Sequence, residues 1–172
     1  MDVSVFEILH AVSGRSSLLD GLIVFFADYL IWFLVLGTLF LVFSLKNPKE
    51  KIFAFLVIAL TAILSRGIFT EAIRFFYDRE RPFESLGFEP LILDFNPAFP
   101  SGHTTFLFAL AFAVFYFSRF WGFWFLGLSF LVGLSRVIAG VHWPSDVLGG
   151  IVVALFAFFI AEKLLKRYRP ES

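Results

Sequence analysis

Five long apolar stretches, separated by short charged or turn-forming segments, organise the chain. Their charge-free cores are Tyr29–Leu45, Ile52–Ser65, Thr104–Ser118, Phe120–Ser135 and Val147–Ala161, each 14–17 residues long. A helix needs about 20 residues to cross a hydrocarbon core. Each core must therefore recruit flanking turns, which predicts spans near 17–44, 51–75, 101–118, 121–138 and 145–164. Buried helices of a soluble bundle would keep a polar face, and Phe106–Phe117 (FLFALAFAVFYF) has none. The predicted fold class is all-α, an integral membrane helical bundle of about five transmembrane helices. Ahead of it, Val5, Phe6, Leu9 and Val12 fall near one helical face of a segment that carries Asp2 and Glu7. That segment reads as a short interfacial helix, not a signal peptide, with His10 as an ordinary interfacial residue.

Composition sharpens this picture. The 172 residues suit one domain spanning 1–172, and 59% are hydrophobic against 16% charged. Soluble domains average about 45–50% and about 25%. Fourteen Lys and Arg balance fourteen Asp and Glu, which argues against nucleic acid as a partner. Without cysteine there are no disulfides, no thiolate metal site and no Cys nucleophile. Lys46, Lys49, Lys51, Arg119, Lys163, Lys166, Arg167 and Arg169 collect on one side of the proposed spans. The positive-inside rule makes that side cytoplasmic, with the N-terminus outside and the C-terminus inside. The bilayer is thus an expected partner, and no obligate protein partner is inferred.

The unusual polar residues gather at the outer face in three places: Arg74 and Arg81-Pro82 (RFFYDRERP), then Pro100-Ser101-Gly102-His103, then Ser135-Arg136, His142 and Asp146 (SRVIAGVHWPSD). Several arginines in a partly desolvated place need an anion, and planar guanidinium groups match phosphate oxygens in forked pairs. Pro-Ser-Gly ahead of an apolar helix presents backbone N–H groups at a positive helix end. Two histidines can divide nucleophile and proton-donor roles. Asp146, four residues after His142, can hold one ring nitrogen. The reaction class suggested is phosphoryl transfer through a phosphohistidine.

This three-part set resembles the signature of the type-2 phosphatidic acid phosphatases, membrane relatives of bacterial acid phosphatases and vanadium haloperoxidases. The resemblance runs from about Arg74 to Asp146. It implies that His142 is the nucleophile, that Asp146 orients it, and that His103 protonates the leaving oxygen and then activates water. Arg74, Arg81, Ser101, Gly102 and Arg136 would hold the phosphate oxygens. Arg74 departs from the family pattern, which has lysine there. The resemblance implies no metal and no cofactor. Layout most resembles bacterial undecaprenyl-diphosphatases of the cell membrane with an outward-facing site. Phosphatidylglycerophosphate or phosphatidate phosphatase activity is the alternative, and a non-enzymatic scaffold or small transporter is a distant one.

Outside the signature, Arg66, Thr70 and Arg74 form one stripe at i, i+4 and i+8. Asp28 is expected at the depth of Arg66 and to pair with it as structural support, because a charge inside the membrane is costly alone. Glu71 is expected to neutralise a neighbouring arginine of its own helix. The segment Phe83–Phe99 reads either as a loop resting on headgroups or as an entry wall for a lipid tail. Trp121, Trp124 and Trp143 are expected as interfacial anchors.

Overall fold

The computed structural model describes residues 2–170, and within them all the regular secondary structure is helical. Helix α1 (Asp2–His10) is followed by the long apolar α2 (Ser17–Ser44) and α3 (Pro48–Phe76). A short α4 (Pro82–Leu86) and an extended loop lead to α5 (Gly102–Phe117), α6 (Arg119–Ile138) and α7 (Pro144–Leu165). Local sequence sets the boundaries. The Ser16 hydroxyl accepts from Leu19 N–H at the start of α2, and Asn47 ahead of Pro48 caps α3. Proline also fills the first helical position of α4 and α7.

Helices α2, α3 and α6, and α7 with its terminal turn to Tyr168, are long and apolar enough to cross a membrane. Helix α5 has 16 residues, about 24 Å at 1.5 Å per residue. It is the centre of the bundle: Leu107, Ala109, Leu110, Ala111, Ala113 and Val114 are all buried. The outward faces of the other helices carry exposed Trp32, Phe40, Phe43, Phe123 and Phe156, an apolar girdle suited to lipid. The chain is a multi-pass helical membrane protein, as its hydrophobic pattern predicts.

Glycines let the inner helices approach. A Cβ on Gly122 of α6 would strike the backbone of Phe115 in α5. One on Gly150 of α7 would lie 3.0 Å from the Ser101 carbonyl. Such small-residue contacts are how helices pack where lipid removes the hydrophobic drive.

Two irregularities matter for the site. Phe25–Tyr29 in α2 and Ile63–Phe69 in α3 are π-helical turns, and they contain Asp28 and Arg66. Each π turn shifts the helical phase of the residues around it. Arg66 and Arg74 still line one cavity, but Asp28 and Arg66 do not pair. Asp28 binds Arg136 of α6 at 2.5 Å, and Arg66 binds Glu71 of its own helix.

Gly122→Ala is expected to lower the melting temperature of the purified protein by several degrees, since overpacking costs about 1–3 kcal/mol. Gly127→Ala, on the same helix with open space around its Cα, is the control and should not destabilise. Equal melting of both variants would show that the α5–α6 contact does not set stability.

Candidate active site

Asp146 is the anchor of the site. It sits in the first turn of α7, fully buried, and its Oδ2 accepts the backbone N–H of Trp143 at 2.8 Å. His142 Nδ1 lies 3.4 Å from the same oxygen. The backbone carbonyl of Asp146 accepts Ser101 N–H at 3.0 Å, which fastens the start of α5 to the start of α7. His142 itself comes from the tight turn after α6. Gly140 in that turn has φ +89°, a conformation other residues resist, and a side chain there would also strike Phe88.

Three arginines converge from separate elements. Arg74, at the end of α3, donates to the Pro100 carbonyl at 3.1 Å. Arg81 donates to the carbonyls of Asn96 at 2.8 Å and Val141 at 2.7 Å. Arg136 pairs with Asp28 and with Asp94, the latter at 2.9 Å. After these contacts, Nε of Arg74, Nη2 of Arg81 and Nε of Arg136 remain buried without a hydrogen-bond acceptor. No other buried side-chain nitrogen among the described residues is in that state. An unsatisfied buried donor costs about 1–3 kcal/mol, and more when charged. The three such nitrogens belong to the arginines of this one site.

All eight signature positions lie at this end of the bundle. Ser101 and Gly102 are buried at the start of α5, where the Ser101 hydroxyl accepts from Thr104 Oγ1 at 3.0 Å. His103 lines a cavity of about 200 Å³ together with Arg66, Arg74, Asp94, Asn96 and Gly102. His142, Arg81 and Arg136 are each at most 1% exposed. Glu71 pairs with Arg66 and lies 3.9 Å from Arg74, so it neutralises arginines of its own helix.

Three residues at the site escaped sequence reasoning. Asp94, in the loop before α5, places Oδ2 2.8 Å from Arg81 Nη2 and 2.9 Å from Arg136 Nη2. Its other oxygen accepts from Asn96 N and Nδ2. The 2.8 Å approach to Arg81 lacks hydrogen-bond alignment, so that nitrogen stays unsatisfied. Asp94 is one acid among several in the loop, and only its Asp-Phe-Asn-Pro turn signal sets it apart. Arg79 donates to Asp146 Oδ1 at 2.6 Å and to Asp2 Oδ2 at 2.7 Å, and Asp2 accepts Ser145 N–H. Helix α1 therefore braces the site. Trp143 is also buried, packed 5.2 Å from Phe6 between ring centres, and is not an interfacial anchor. His10 stacks on Phe6 and Phe88, and its Nδ1 contacts the Ile138 carbonyl at 2.8 Å.

Electrostatics follow from burial. Desolvation, then the charges of Arg136 and Arg81, push His142 well below its ordinary value, so the ring is neutral at neutral pH. Desolvation brings Arg81 down to about 10, still charged. Burial works to raise Asp94, but Arg81, Asn96 and Arg136 outweigh it and hold the carboxyl below its usual range. A depressed carboxyl stabilises the fold fully above its unfolded pKa and loses that contribution as pH falls through the lower folded value. Asp94 is therefore a carboxylate across the neutral range.

The fold and site define a polytopic membrane protein with a histidine–aspartate pair beside three buried arginines. The chain belongs to the PAP2 superfamily, whose family model matches residues 55–169. It is 32% identical to Undecaprenyl-diphosphatase BcrC of Bacillus subtilis (strain 168), over 99% of this chain and 87% of that protein. It is 30% identical to the Bacitracin transport permease protein BcrC of Bacillus licheniformis, over 95% and 82%. The crystal structure of Aquifex aeolicus LpxE superposes with a TM-score of 0.74 at 24% identity, covering 94% of each chain, a likeness of fold.

Because Asp94 lies against two of the three guanidinium groups, an anion seated on them would compete with it. Asp94→Asn is expected to melt lower than the parent without phosphate, by up to about 3 kcal/mol, and to gain more from added phosphate. The check is a thermal-shift titration with phosphate. An identical phosphate response in both proteins would show that Asp94 is not in the anion's seat.

Proposed function

We propose that this protein is a membrane lipid phosphatase that hydrolyses a polyprenyl diphosphate, most simply undecaprenyl diphosphate, to the lipid phosphate and orthophosphate. The observation that carries this reading is the trio of acceptor-less guanidinium nitrogens beside a neutral, carboxylate-held His142. Its support in sequence is the 32% identity to an undecaprenyl-diphosphatase across nearly the whole chain. The active site faces the outer side, because the cytoplasmic side by loop charge is the opposite end of the bundle.

The terminal phosphate takes the place of the Asp94 carboxylate among Arg74, Arg81 and Arg136. His142 Nδ1–H faces Asp146, which leaves the Nε2 lone pair to attack phosphorus. The N–P bond forms as the bond to the bridging oxygen breaks, and His103 gives its proton to the leaving lipid phosphate. Water then attacks the phosphohistidine, His103 takes a proton from it, and orthophosphate leaves with His142 restored. Every step uses side chains of this one chain, and Asp2 and Asp28 from outside the matched residues reach the same site. Both facts support reading it as a single phosphatase domain. A transporter would have no use for a buried His–Asp pair, which is why translocation is the weaker reading of the shared architecture.

The test is phosphate release from undecaprenyl diphosphate by the full chain in detergent. His142→Ala is expected to lose at least about 10³-fold in kcat, and His103→Ala about 10²- to 10⁴-fold. Acid-labile phosphate should be trapped on the parent protein but not on His142→Ala. Full turnover by His142→Ala would end the phosphohistidine mechanism.

A further inference from the structure

Arg66 has no part in the scheme above, yet it faces the same cavity. It lies eight residues before Arg74 on α3, about 12 Å deeper along a helix of 1.5 Å rise. The π turn at Ile63–Phe69 sets its direction, and its long stem carries the guanidinium group back toward the start of α5. There it packs on Gly102, where a Cβ would lie 2.8 Å from Arg66 Nε. Glycine at 102 thus makes room for this group directly beside His103. The side chain is 39% exposed, and its one ion-pair partner, Glu71, is 54% exposed, so that pairing is open to competition. Below Arg66 the cavity wall turns apolar, with Ile31 and Phe106.

We propose that Arg66 is a second phosphate subsite, holding the lipid-proximal phosphate of a diphosphate ester while the Arg74–Arg81–Arg136 cluster holds the terminal one. This deepens the diphosphatase reading and rests on it. Arg66, Arg74 and His103 line one cavity, and Arg81, Arg136 and His142 are almost fully buried. In the proposed pose a diphosphate has its terminal phosphorus at His142, its bridging oxygen at His103 and its second phosphate at Arg66. When the terminal P–O bond breaks, its electron pair passes to the departing lipid phosphate. A guanidinium group at that phosphate stabilises the charge in a partly desolvated place. A lipid monophosphate has nothing to put there. Ile31 and Phe106 then receive the first carbons of the chain.

The experiment compares kcat/KM for a prenyl diphosphate and for the monophosphate of the same prenyl chain, using the full-length protein in detergent. The parent is expected to prefer the diphosphate. Arg66→Gln should shrink that preference about 10- to 100-fold, the size of one charge-assisted contact, and Arg66→Lys should restore part of it. Inhibition by pyrophosphate relative to orthophosphate should weaken in parallel. A preference within twofold of the parent in Arg66→Gln overturns the subsite and leaves the diphosphatase reading standing. A parent that shows no preference overturns that reading and the subsite with it. If Arg66→Gln fails to fold, Glu71→Gln decides: releasing Arg66 should raise the preference, and an unchanged value overturns the proposal.

Discussion

The buried carboxylate of Asp146 is the interaction on which the rest depends. It holds the backbone of the residue after the histidine, faces the ring itself, and takes a charged bond from Arg79. The carbonyl of the same residue fixes the N-terminal turn of the central helix. A buried carboxylate is tolerated only when its acceptor capacity is used, and here it is used by Arg79 and by the turn at His142 and Trp143. One requirement of electrostatics thereby assembles loops that are far apart in sequence.

The arginines impose the complementary constraint. Three guanidinium groups at the end of an apolar bundle repel one another, and desolvation strengthens that repulsion. Arg81 and Arg136 take counter-charges from other elements, Asp28 from α2 and Asp94 from the loop before α5, while Arg74 has Glu71 of its own helix. One nitrogen on each of the three still lacks an acceptor within the protein. Glycine-mediated contacts close the inner helices along the bundle, and ion pairs hold the arginines at the site end.

Much of this was legible in the sequence. The five apolar stretches located the helices because membrane burial demands continuous hydrophobicity, a strong signal. The signature residues were legible because proline, glycine, histidine and arginine cluster there with little structural need. The Asp28–Arg66 pairing failed for a specific reason: both residues lie in π turns, and no residue pattern announces the extra residue that shifts the helical phase. Asp94, Arg79 and Asp2 were hidden because their partners lie far away along the chain, and acids in a surface loop look alike until the loop closes. Trp143 was misplaced because aromatic position was judged by span ends, whereas Phe6 of the first helix covers it.

The position of Asp94 also bears on how ligand affinities at this site are to be understood. A carboxylate tethered by a short loop has an effective concentration at its arginines that a freely diffusing ion reaches only at high levels. Dissociation constants of small oxyanions therefore report a contest with an intramolecular rival rather than the intrinsic grip of the guanidinium groups. A substrate anchored by its hydrocarbon chain enters that contest with a tether of its own, which favours it over soluble phosphate before any contact is made.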